Sequence, residues 1–310
     1  MIMHRNDHTL AIRALKSAAP YIRMYKGKTF VVKAGGGVFA DSSATRVLVE
    51  QIAILHYFGV RVVLVHGGGP QLTELSAALG VPTRMVEGRR VTDQQAIDVT
   101  SMVLNGLINT RVLGICRDLD IDAVGISGVD AGLVRAHRRA PMKTGGGEIV
   151  DFGFVGDIDQ VDTSVLKKLL DNGLMPVVSP LSADEAGTLL NINADTVAAA
   201  LGAALAAEKL ILCTGAPGIL GDMSDPGSLI SYTDLSGLKR LREEGRIAQG
   251  MLPKAKAIED ALRGGVRRVH VVSYQSPEGI LGEVFTNEGT GTMIVADVNA
   301  LSPAEQQSSA

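Results

Sequence analysis

The chain alternates short β-branched apolar runs with longer segments of helical periodicity. Lys28 to Lys33, Val60 to Val65, Ala123 to Ile126, Pro176 to Ser179, Leu210 to Cys213 and Val269 to Val272 have the length and composition of buried strands. Thr45 to Phe58, Gln71 to Leu79, Gln94 to about Leu119, Thr163 to Asn172, the stretch from Asn191 to Ala207, Leu235 to Glu244 and a segment opened by Met251-Leu252-Pro253-Lys254 read as helices. Gly59, Gly80 and Gly264-Gly265 stand where helices stop, and Asp93 where one is capped. Residues 9 to 25 also read as helix, kinked or broken at Pro20. Strand, glycine turn, helix, repeated along the chain, predicts an α/β fold with a parallel sheet.

Two stretches break this rhythm. Residues 129 to 160 place short extended runs between Gly145-Gly146-Gly147, Gly153 and Gly156, the pattern of hairpins laid over the edge of a site. After Gly187 a second lobe begins, and beyond Ala296 the polar residues read as a frayed tail.

Composition narrows the partners. The 310 residues carry a net charge of −3 with basic residues dispersed, so there is no footprint for nucleic acid or an anionic membrane surface. No run of about 18 apolar residues is apparent, the longest candidate being the alanine-rich Val197 to Ala207, and the N-terminus lacks a signal-peptide apolar region; the cytoplasm is the expected compartment. Cys116 and Cys213 offer neither a disulfide framework nor metal spacing and are expected to be buried fillers.

The candidate chemistry lies in two glycine turns. Val31-Val32-Lys33-Ala34-Gly35-Gly36-Gly37 and Val65-His66-Gly67-Gly68-Gly69-Pro70 each end a strand, so two anion-receptive loops are expected side by side at one sheet edge. Lys33 precedes its glycines, unlike a P-loop lysine, and the string also reads as a tight turn with a snorkelling lysine. His66 reads as a base or as a packed residue. In the second lobe, Asn191 and Asp195 flank a helix start, one to cap it and the other to face the site. Lys254 stands in the first turn of a helix, against the macrodipole, which points to an anion beside it. Lys33, Lys254 and the glycine N–H groups suit a transferring phosphoryl group, with Asp195 orienting both lysines. The six histidines are scattered, with no carboxylate or serine at recognisable spacing. A carboxylate acceptor needs no base, because it is already ionised at neutral pH, so the residue set fits a kinase that makes an acyl phosphate.

Eight motifs in order carry a resemblance. VVKAGGG at 31–37, VHGGGPQ at 65–71, GRRVTD at 88–93, VGISGVDAGLVRA at 124–136, DFGFVGDI at 151–158, NINADT at 191–196, GMLPKA at 250–255 and FTNEGTGTMI at 285–294 resemble those of the N-acetylglutamate kinases of the amino acid kinase superfamily. The resemblance implies a three-layer αβα open sandwich around a mainly parallel sheet. It also implies an N-terminal helix at 1–27, an acceptor lobe at 28–187, a nucleotide lobe at 188–296 and a disordered tail at 297–310. The reaction implied is phosphorylation of the side-chain carboxylate of N-acetyl-L-glutamate in arginine biosynthesis. ATP is the donor, with Mg2+ carried by the nucleotide and without dedicated protein ligands.

Carried over by position, Lys33, Lys254 and Asp195 are the catalytic set, and Gly68, Gly69, Arg90 and Asn191 hold the acceptor. Gly36, Thr214, Gly215, Gly218 and Lys254 contact the nucleotide. Arg89 stands where the family often has leucine, Ala34 where it often has leucine or an aromatic, and Gly215 where it usually has aspartate. The N-terminal segment and the region around His270 resemble the arginine-inhibited, hexameric branch. That implies L-arginine as inhibitor at Tyr21, His270, Glu283 and Gly289, and a homodimer or hexamer. A packed His270 and a surface Glu283 are the plainer reading. Gly215 motivates the alternative of a catalytically weak protein binding arginine or acetylglutamate for regulation; a carrier-linked aminoadipate or glutamate acceptor is another. An appended acetyltransferase is not expected, since little chain follows residue 294.

Overall fold

The computed structural model describes residues 5–222, 225, 227–247 and 251–300. Eight strands form one sheet: β1 (Thr29–Ala34), β2 (Arg61–His66), β3 (Ala123–Ser127), β4 (Met175–Ser179), β5 (Lys209–Thr214), β6 (Tyr232–Asp234), β7 (Arg268–Ser273) and β8 (Thr292–Val295). Their order is β6-β8-β7-β5-β1-β2-β4-β3. Only the β7–β8 pairing is antiparallel, with Val269 opposite Ile294. The near-continuous Val, Ile and Leu runs follow from burial of both faces of a parallel sheet.

The helices are α1 (Arg5–Tyr25), α2 (Ser42–Tyr57), α3 (Gly69–Ala78), α4 (Gln94–Asp118), α5 (Ser164–Asp171), α6 (Ala194–Ala204), α7 (Leu235–Glu243), α8 (Leu252–Arg263) and α9 (Gly279–Phe285). Caps start several of them: Asp41 accepts from Ser43 N at 2.7 Å, Asp93 from Ala96 N at 2.8 Å and Asp234 from Gly237 N at 2.8 Å. One face of β1 carries Val31 into the core shared with α6 and α8, while Phe30, Val32 and Ala34 join the core containing α2 and α4. The result is the expected three layers.

A four-stranded sheet lies apart from the main one. Val134–Arg138 pairs antiparallel with Gly156–Val161, and Leu181–Ala183 with Leu189–Asn191, so the hairpins expected over 129–160 are present.

Several expectations need correction. Helix α1 runs unbroken past Pro20. Tyr25 explains this: it is buried and packs edge-on against Phe30 at 5.2 Å, and such tertiary anchoring outweighs one lost helix hydrogen bond. Contrary to the expectation of no such run, helix α4 is long and apolar enough, by length and composition, to cross a membrane. Its Val99, Val103, Leu104, Ile108, Val112 and Cys116 are buried against the sheet, which accounts for that composition. Its middle, Met102–Asn109, is π-helical. Within the expected tail, Val298–Ala300 forms a short 3₁₀ turn; residues 301–310 and Gly250 lie outside the described residues. Cys116 and Cys213 are free and buried as expected, with thiols pushed up by burial to about 11 and about 12.

Candidate active site

Strand β1 is where the chain switches direction across the sheet, with β2 on one side and β5 on the other, and the carboxyl ends of such strands are where open α/β sheets bind ligands. Lys33 is the penultimate residue of β1 and, by the two-residue period of a strand, shares the face of Val31 toward α6 and α8. Its ammonium lies 2.8 Å from Asp195 Oδ1. The Lys254 ammonium lies 3.0 Å from the same oxygen. All three side chains are about nine-tenths buried.

One carboxylate between two ammonium groups leaves a positive excess in a largely dry place. Burial pushes the Asp195 carboxyl up, but Lys33 and Lys254 outweigh it and hold the group below the usual carboxylate range. Burial, with Lys33 beside it, lowers the Lys254 pKa despite Asp195. The anion expected beside Lys254 therefore exists within the protein, and it is shared. Neither Asn191 nor Asp195 caps α6, contrary to expectation. Asn193 does so, accepting from Asp195 N at 2.7 Å, which leaves the Asp195 carboxylate free to face the lysines.

The two glycine turns touch. A Cβ on Gly36 would fall 2.8 Å from Gly69 N and 2.7 Å from Pro70 Cδ, so only glycine permits the approach. Gln71 Nε2 donates to Gly36 O at 2.9 Å and ties the turns together. Gly68 abuts Ile108 and Leu104 of the π-helical segment, where a Cβ would meet side-chain carbons at 2.7 and 2.8 Å. Gly69 opens α3, whose first N–H groups have no helical acceptor and suit an anionic ligand. His66 is fully buried and is a packed residue: Asn109 Nδ2 lies 3.2 Å from its Nε2, and burial lowers its pKa to about 4, so it is neutral.

Arg90, not Arg89, reaches this end of α3. Its guanidinium donates to Thr73 Oγ1 at 2.8 Å and to Thr83 Oγ1 at 3.1 Å, with Gly69 O at 3.4 Å. Arg89, one residue along the same strand, points the other way and meets Met142 Sδ at 3.3 Å. Asn191 is half-buried, its backbone N–H on Phe154 O at 2.8 Å and its Nδ2 at 3.5 Å from Thr92 Oγ1.

On the other side of β1, Thr214 ends β5 and its Oγ1 accepts from Ala216 N at 3.0 Å, which shapes the turn carrying Gly215 and Gly218. Beyond it lies an apolar cavity of about 240 Å³ lined by Ala216, Gly218, Ile219, Leu238, Met251 and Ile258. A Cβ on Gly218 would sit 2.6 Å from Leu229 Cδ1 and from Thr292 Oγ1. An apolar slot next to a positively charged cleft matches a ligand with a flat base at one end and phosphates at the other.

The profile of the amino acid kinase family matches residues 28–273. The chain belongs to this family. Among its relatives, the acetylglutamate kinase of Myxococcus xanthus is 48% identical, over 94% of this chain and 96% of that protein. Those of Symbiobacterium thermophilum and Archaeoglobus fulgidus are 43% and 41% identical, each over 91% of this chain. The N-acetylglutamate synthase of Neisseria gonorrhoeae, solved with coenzyme A and N-acetyl-glutamate, superposes with a TM-score of 0.80 at 27% identity. The match covers 93% of this chain but 64% of the synthase. Carbamate kinase from Giardia lamblia shares the fold at a TM-score of 0.63 and 18% identity.

This amino acid kinase has a second cavity, of about 420 Å³, between α1 and the far end of the sheet. Tyr21, His270, Glu283 and Gly289, the residues that resemblance grouped, all line it. Glu283 is buried and not on the surface: its Oε1 lies 2.6 Å from His270 Nδ1, and its Oε2 accepts from Thr290 N and Gly291 N. Lys209 completes the row, 2.8 Å from His270 Nε2 and over the Tyr25 ring. Burial lowers Lys209 to about 7 and His270 to about 4. Two histidines thus pair with carboxylates after all: His137 meets Asp159 at 2.7 Å across two paired strands, and His270 of β7 meets Glu283 of α9, so the tertiary fold and not sequence spacing brings the partners together.

Sequence reasoning missed Asn193, Thr73 and Thr83 in this kinase. The NxNAD spacing carried a signal for Asn193, since a cap stands immediately before its helix. Nothing local marked the others.

Proposed function

We infer that this chain transfers the γ-phosphoryl group of ATP to the side-chain carboxylate of N-acetyl-L-glutamate, giving the acyl phosphate and ADP, a step of arginine biosynthesis. The observation that carries the reading is the pair of buried ammonium groups on one carboxylate between two glycine turns, in a chain whose relatives are acetylglutamate kinases. A carboxylate oxygen of the acceptor attacks the γ-phosphorus while the bond to the β,γ-bridging oxygen breaks. No proton moves, so no base is needed. Lys33 and Lys254 meet the charge that spreads over the phosphoryl and leaving oxygens, and Asp195 keeps both ammonium groups aimed. Magnesium, when bound with the nucleotide, would neutralise phosphate charge; the described residues hold no group of three or more metal-ligating side chains.

The N–H groups of Gly36, Gly68 and Gly69 are suited to phosphate and acceptor oxygens, and the slot at Gly218 to adenine. Arg90, held by two threonines, presents a guanidinium to the acceptor α-carboxylate, with Asn191 at the acetamido end. Arg90→Ala is expected to raise KM for acetylglutamate by about 30-fold, for loss of a hydrogen-bonded charge pair, with kcat and KM for ATP within about threefold of wild type. Steady-state kinetics with each substrate varied checks this.

Measuring ADP release with acetylglutamate, glutamate, aminoadipate or no acceptor tests the whole reading. ADP release that does not depend on acetylglutamate sinks it. Arginine belongs in the same assay, because the second cavity offers a buried carboxylate, Glu283, to a guanidinium and a lysine, Lys28, near its rim to a carboxylate. A related synthase structure contains L-arginine. Helix α1 beside that cavity exposes Leu10, Leu15 and Met24, a face suited to a homo-oligomer contact.

A further inference from the structure

Tyr274 follows β7 and stands outside every role given so far. Its backbone N–H donates to Thr214 O at 2.9 Å, which fastens it to the turn ending β5. Its side chain then crosses to the other turn. A Cβ on Gly37 would lie 2.7 Å from the Tyr274 hydroxyl oxygen, and one on Gly215 would lie 3.5 Å from the same atom. The hydroxyl therefore sits in the crevice between the two turns at the carboxyl ends of β1 and β5, whose neighbouring strand position carries Lys33. Its ring packs against the core containing α2, so the hydroxyl is held in place by the ring and does not swing freely. No hydrogen bond to that hydroxyl occurs among the described residues, and the residue is only half-buried.

A rigidly held O–H donor without a partner, between two turns that present bare backbone, is an oxygen-binding position. We propose that the Tyr274 hydroxyl donates a hydrogen bond to a phosphate oxygen of the bound nucleotide, bridging the turn of Gly35 to Gly37 and the turn of Gly215. Gly215 belongs to the same device. An acidic side chain there, starting 3.5 Å from the hydroxyl oxygen, would accept its proton and draw it away from the phosphates. The inference rests on the reading of this cleft as an ATP site.

Tyr274→Phe removes one oxygen and leaves the packed ring. It is expected to raise KM for ATP about tenfold, the loss of one hydrogen bond to a charged oxygen, while KM for acetylglutamate stays within twofold of wild type. Calorimetric binding to the same protein is expected to weaken for ADP and ATP and to stay unchanged for adenosine, which lacks the phosphates. An unchanged KM for ATP, or equal weakening of adenosine and ADP, overturns the proposal. Wild-type turnover with acetylglutamate is measured beside the variant; its absence counts against the ATP-site reading itself, whereas an active wild type with an indifferent variant counts against Tyr274 alone.

Discussion

Lys254→Met is expected to lower kcat by about 100-fold while leaving KM for both substrates within about threefold, because the charge it removes is used most when the phosphoryl group is in flight. Stability should move differently. The wild-type cluster holds two ammonium groups on one carboxylate, so the variant retains a matched Lys33–Asp195 pair and loses a like-charge neighbour. Its melting temperature is therefore expected to equal or exceed that of the wild type. Turnover within threefold of wild type would remove Lys254 from the reaction. On the proposed reaction the same lysine is expected to set the alkaline edge of activity. Its pKa is lowered by burial and by Lys33, the charged form is the active one, and kcat should fall as pH rises through a value below that of an ordinary lysine.

The second large effect has the opposite signature. Asp195→Asn leaves two buried ammonium groups facing each other with no counter-charge, and breaking a buried ion pair in this way costs about 3 kcal/mol. Both kcat and thermal stability are expected to drop, kcat by at least 100-fold because neither lysine is aimed any longer. The pH dependence of this contribution follows from the sign of the shift. The folded-state pKa of Asp195 is depressed, so its stabilisation is complete above the ordinary aspartate value and is lost as pH falls through the depressed one. At pH 7 the wild type therefore holds all of it. Denaturant unfolding of the two variants side by side checks the contrast: a destabilised Lys254→Met with an unaffected Asp195→Asn would refute the account of this cluster.

Much of this is legible in the sequence. Strands, glycine stops and the N-cap Asp93 are local events, governed by residues a few positions apart, and pattern finds them; the cap Asp41 is equally local yet no reading of the sequence singled it out. The meeting of Lys33 with Lys254 is not local, since β1 and α8 are far apart in the chain; charge placed against a helix dipole pointed to it, resemblance pointed the same way, and both ammonium groups do lie on Asp195. What pattern missed falls into two kinds. Pro20 and the capping of α6 were decided by competition, Tyr25 packing against helix breaking and Asn193 against Asn191 and Asp195. Tyr274, the Thr73 and Thr83 tethers of Arg90 and the Glu283 network depend on contacts between segments far apart in the chain, for which no single stretch carries a mark.

The position of β1 limits how such an enzyme moves. Lys33 stands opposite Val65 of β2 on one side and Leu212 of β5 on the other, so the two sides of the cleft are sewn to the same strand by backbone hydrogen bonds. A door hinge between them would have to tear that seam. Any motion that keeps the seam intact leaves Lys33 anchored to both wings at once, the part of the sheet least free to travel.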